Sequence, residues 1–154
     1  MSRRKFVEAI QNAHEVRDLL RQTVTSTNAW GAAVMLPDKS CGVLDCVTNV
    51  GLPEDWAHIT NALNETTGNG RCYLSGKPVL IQGVPIGQPD GATTEHFMSA
   101  IVVVPLKQRN SIVGTLEVIK DKPGGTFTPK EVVILQNFAD NLVDTGHFKY
   151  LENL

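Results

Sequence analysis

Cysteines, an excess of basic charge and long hydrophobic runs are all scarce in this chain of 154 residues. The three cysteines, Cys41, Cys46 and Cys72, are an odd number without Cys-x-x-Cys spacing; this excludes a disulfide framework and leaves reduced thiols. Lys and Arg total 14 against 16 Asp and Glu, a formal charge of -2, so there is no basic field to hold a phosphate backbone, and nucleic acid is not an expected partner. The longest apolar run, residues 100–106, falls far short of the ~20 residues a membrane helix needs and suits a buried strand. The basic start Arg3-Arg4-Lys5 leads into Glu8, Gln11, Asn12 and His14 instead of an apolar stretch, so no export signal is read and a cytoplasmic protein is expected. No Ser-His-Asp order, Walker loop, zinc-ligand cluster or paired-carboxylate motif emerges, so no catalytic residue, metal site or cofactor is expected.

What is present is a core. Hydrophobic residues make up 42% and charged residues 19%, enough apolar surface for one packed domain of about 100–200 residues. Phe6, Ile10, Ala13, Leu20 and Val24 recur at spacings of mostly three and four, which predicts an amphipathic helix over residues 3–24. Two apolar runs, 29–36 and 41–50, flank Pro37-Asp38-Lys39-Ser40 and predict a β-hairpin. Pro53, followed by Glu54 and Asp55, predicts a second helix over 52–64 that turns Trp56, Ile59 and Leu63 inward and ends at Gly68-Asn69-Gly70. A short strand over 78–81 and a Gly- and Pro-rich connection over 83–91 follow. Residues 99–106 and 112–120 read as a second hairpin at the centre of the sheet, and Thr128-Pro129-Lys130-Glu131 reads as a capping box launching a last helix over 129–150. The order predicts an α+β fold, a central antiparallel sheet with helices mainly on one face, in a single domain over 1–154.

Five motifs in this order resemble the GAF domains, small-molecule sensory modules: Gly68-Asn69-Gly70; Ser75-Gly76-Lys77-Pro78-Val79; the run from Ala100 to Leu106; Ile112-Val113-Gly114-Thr115-Leu116-Glu117-Val118; and Phe127-Thr128 leading into Leu135-Gln136-Asn137-Phe138-Ala139. The resemblance covers about residues 25–143. It implies a ligand pocket on the sheet face away from the helices, roofed here by residues 68–99, and a homodimer formed through the flanking helices at 3–24 and 129–150. It also implies a signalling kinase or regulator as the partner that receives the signal. No membrane partner is expected.

Within that frame, Gly70, Arg71, Cys72 and Tyr73 belong to a glycine-rich turn opening a short helix, where free backbone N–H groups and the helix dipole favour an anion. Standalone nitrate-sensing members of the family imply an anion site on Arg71, Cys72 and the stretch His96-Phe97-Met98, and His96 could also serve a polar ligand or a haem iron. The alternative reading has the glycines permit a tight turn, with Arg71 solvated and His96 a satisfied loop histidine. Cys72, at a helix start, has a placement that favours a thiolate. Free-methionine sulfoxide reductases of the family have a cysteine there but need two more, and residues 62–67 and 87–99 contain none, so a small buried cysteine is the leading reading. The cyclic-nucleotide pattern is matched only at Lys122 and Phe127, and Glu95-His96-Phe97 lacks the thiol of bilin-binding members. The expectation is a sensor of a small polar or anionic molecule; the alternatives are a thiol reductase and a dimerising interaction module whose pocket its own side chains fill.

Overall fold

After Ile10 the buried stripe of the N-terminal segment changes phase. It continues through Val16, Leu20, Thr23 and Thr27 rather than through Arg17 and Val24, because a helix unbroken at Ala13 would drive Arg17 into the core. The chain resolves this with one extended residue, Ala13 (φ -75°, ψ 107°), so the single helix expected over 3–24 is two, α1 (Arg3–Asn12) and α2 (His14–Thr27). Arg17 turns outward and donates to the Gln11 carbonyl at 2.9 Å, satisfying the end of α1. The computed structural model describes residues 2–82, 98–122 and 125–149.

The first hairpin is β1 (Gly31–Asp38) and β2 (Val43–Val50), with a register shift between Val34 and Met35. The helix expected over 52–64 does not form. One 3-10 turn, Glu54–His58, is held by the Trp56 N–H on the Pro53 carbonyl at 2.9 Å, and the chain then extends into β3 (Thr60–Ala62) along the free edge of β2. Ile59 and Thr60 are β-branched, and the unpaired edge of β2 offers the backbone partners that decide for a strand. Next come α3 (Gly68–Ser75) and β4 (Val79–Gln82). The expected connection over 83–91 lies outside the described residues.

The second hairpin, β5 (Ala100–Gln108) and β6 (Ser111–Lys120), completes a six-stranded sheet of order β3-β2-β1-β6-β5-β4 in which every pairing is antiparallel. Its centre is the β1–β6 pair, so β5 sits one strand further out than expected. The capping box at Thr128 forms as the sequence predicts and starts α4 (Pro129–Asp144), with Lys120 Nζ on Glu131 Oε2 at 3.0 Å fastening it to the end of β6. The helix stops at Asp144 instead of running past Gly146, whose φ of 83° turns the chain back so that Phe148 is buried; residue 150 lies outside the described residues.

The fold is α+β. Helices α1, α2 and α4 cover one face, where Phe6, Ile10, Leu20, Leu135 and Leu142 meet Val34, Val102, Leu116 and Val118. Among the described residues α3 lies on the other face, with a smaller apolar cluster of Ala33, Met35 and Leu44 against which Tyr73 packs. The apolar stripes of the flanking helices thus pack against their own sheet. No described helix is long and apolar enough to cross a membrane.

Candidate functional site

Strand alternation sends Leu116 and Val118 of β6 toward the three-helix side and Thr115 and Glu117 toward α3. There they meet Asn69, the second residue of α3. The Thr115 hydroxyl donates to Asn69 Oδ1 at 2.8 Å, and the Asn69 amide donates to Glu117 Oε2. All three residues are buried, Thr115 fully, Asn69 at 2% exposure and Glu117 at 9%. Burial raises the Glu117 carboxyl above its ordinary value, and the Asn69 hydrogen bond opposes the rise. The flanking residues across the ladder are Ala33 on β1 and Val103 on β5, which leave this polar cluster in apolar surroundings.

The glycine-rich segment holds α3 in place. Gly68, Asn69 and Gly70 are the first three residues of α3, not the end of a preceding helix. Thr67 caps it: its hydroxyl accepts from the Gly70 N–H at 2.9 Å and donates to the Ala62 carbonyl at 2.9 Å, tying α3 to β3. A side chain at Gly70 would run into the Asn64 carbonyl and lie 2.7 Å from that of Ala62, so glycine is required here by close approach of backbone. Two of the amides expected to face an anion have partners within the chain. The Gly70 amide serves Thr67 Oγ1, and the Arg71 amide serves the Thr67 carbonyl at 2.9 Å.

The remaining site residues of the sequence reading scatter. Arg71 is exposed and lines an open groove of about 610 Å³ on the outer side of α3 with Glu65, Leu74 and Lys77. Cys72 is the fifth residue of α3 and fully buried, so the helix-start thiolate is not found: burial pushes its thiol up to about 12, against the opposing charge of Lys107. Tyr73 packs on Ala33, Met35 and Leu44, and Met98 is buried at 5% exposure. His96 and Phe97 lie outside the described residues. Cys46 shares the Glu117 face, its thiol raised to about 11 by burial, with the Glu117 charge adding. Cys41 is exposed. Among the described residues no group of three His, Cys, Asp or Glu side chains is placed to hold a metal.

Sequence reasoning quoted Asn69, Thr115 and Glu117 inside motifs but assigned them no role. A signal was available: Glu117 is the one charged residue between Ser111 and Lys120, in a strand otherwise reading as core.

A curled antiparallel sheet with three helices on one face, and on the other a capped short helix closing over a buried polar cluster, defines the architecture of a small sensory domain. The chain belongs to the GAF domain family, whose model matches residues 10–143. That family serves small-molecule sensing and signalling in general. No curated protein sequence matches the chain. Among solved structures it is similar to the second GAF domain of DevS from Mycobacterium smegmatis, at 19% identity and a TM-score of 0.67 over 84% of this chain and 88% of that one. It is also similar to the GAF domain of an Acinetobacter phosphoenolpyruvate-protein phosphotransferase, at 17% identity and a TM-score of 0.70 over 100% of this chain and 98% of that one. A third likeness is to the free methionine-R-sulfoxide reductase of Neisseria meningitidis, at 16% identity and a TM-score of 0.65 over 97% of this chain and 87% of that one. At such identities the likeness is one of fold.

Proposed function

We propose that this GAF domain is a cytoplasmic sensor that takes up a small polar molecule on the sheet face bearing α3 and passes its state to a partner protein, a signalling kinase or regulator. The observation that carries the reading is the Asn69–Thr115–Glu117 cluster. Three polar side chains placed in the interior are costly unless they are satisfied or used, and an all-apolar face would pack α3 at lower cost. The reading shifts the site of ligand recognition from the amides of residues 70–72 to this cluster.

We take the chain not to be an enzyme. A thiol reductase needs a thiolate, and the raised thiols of Cys72 and Cys46 stay protonated near neutral pH, which supports a structural role for both. We also propose that two copies pair through the flanking helices at 3–24 and 129–150, where Val133 of α4 is 61% exposed.

A thermal-shift screen of amino acids, amines, small anions, purines and cyclic nucleotides tests the reading. A ligand at 100 times its Kd adds about 2.7 kcal/mol to the native state and raises Tm. At least one compound is expected to do so, with the shift reduced in Thr115→Val, which frees Asn69 from its hydroxyl partner. If every compound leaves Tm unchanged at millimolar concentration, the sensor reading falls and the interaction-module reading takes its place.

A further inference from the structure

We propose that the molecule sensed on this face carries a protonated amine that pairs with the Glu117 carboxylate. The proposal rests on the ligand-sensing reading above and adds the chemical class.

Buried carboxylates are ordinarily matched by a cation or a metal. Elsewhere this chain obeys the rule even near its surface: Asp45 meets Arg3 at 3.1 Å and Glu131 meets Lys120 at 3.0 Å. Glu117 is buried more deeply than either, yet among the described residues its hydrogen-bond partner is the neutral amide of Asn69. All 14 Lys and Arg are among the described residues, and none of them hydrogen-bonds or ion-pairs with Glu117.

The cluster is also directional. Thr115 occupies Asn69 Oδ1 and thereby aims the Asn69 amide at one oxygen of Glu117. A carboxylate has about four acceptor positions, so a single amide leaves capacity for an ammonium with its three donors. An ammonium beside it would favour the charged carboxylate and gain a charge-assisted hydrogen bond in apolar surroundings.

The test uses butylamine, putrescine, agmatine and free amino acids, each beside its alcohol or N-acetyl counterpart and its matching carboxylate, by thermal shift and calorimetry on the whole chain. The expected result is that at least one amine binds while its uncharged counterpart does not, and that Glu117→Gln weakens this amine at least about tenfold, with Glu117→Asp recovering part of it. The amine-against-N-acetyl comparison is made on the unaltered protein and so survives a variant that fails to fold. If uncharged or anionic members bind as well as the amines, or Glu117→Gln keeps its affinity, the amine assignment is overturned while the sensor reading stands. If nothing binds in this panel or the wider screen, both fall together.

Discussion

The two faces of the sheet solve opposite problems with the same six strands. The face under α1, α2 and α4 is a continuous apolar layer, and its charged groups are confined to the rim, as with Lys120 and Glu131 at the start of α4. Among the described residues the face under α3 joins apolar Ala33, Met35, Leu44 and Val103 to a buried carboxylate, an asparagine, a threonine and two thiols raised by burial. The first face stabilises the domain by burial; the second gives up part of that stability to a buried polar cluster. Dispersion and hydrophobic gain scale with area and need no direction, whereas Asn69, Thr115 and Glu117 must each be aimed.

That division can be broken most severely from the apolar side. Leu116→Ala removes a fully buried side chain between β1 and β5 and is expected to cost about 2–5 kcal/mol in urea unfolding, near the whole stability of a small domain. A loss within about 0.5 kcal/mol of zero would mean the helix face is not the stabilising layer. Next in size, Gly70→Ala forces a methyl toward the Asn64 and Ala62 carbonyls and should cost about 1–3 kcal/mol while displacing Asn69, so that amide exchange in α3 speeds up. Unchanged exchange would separate the glycine from the polar cluster.

The smallest effect sharpens the comparison through pH. The folded-state value of Glu117 is raised above its ordinary 4.5, so the native state holds the proton more tightly than the unfolded chain. Its contribution to stability is therefore full below 4.5 and is lost as pH rises through the raised folded value. Over that window the slope for one proton cannot exceed about 1.4 kcal/mol per pH unit. Glu117→Gln should flatten the slope and make the protein more stable near neutral pH even as it loses ligand. Equal pH profiles for the two proteins would contradict an uncompensated carboxylate in the interior.

Much of the fold was legible in advance because its signals are local. The β-branched apolar stretches over 100–106 and 112–120, the capping box at Thr128 and the spacing of Phe6 and Ile10 report structure within a few residues of themselves. The failures are tertiary. Residues 52–64 carry a credible helix start in Pro53-Glu54-Asp55, yet the open edge of β2 captures 60–62 as a strand. The break at Ala13 follows from where Arg17 would have pointed once the helix lay on a sheet. Of the site, Arg71 and Cys72 attracted attention by residue type, but one faces solvent and the other is sealed in the interior.

The sequence by itself determined the family, the α+β class, the order of most elements, the small net charge and the lack of any run long and apolar enough for a membrane helix, since composition and short-range periodicity carry that information. Only the tertiary structure decided which residues form the polar site. Asn69 lies 46 and 48 positions from Thr115 and Glu117, and a contact across that separation exists only after α3 has been laid over β6. No local propensity encodes it, because the register of a strand and the placement of a helix over it are set by the packing of both faces at once.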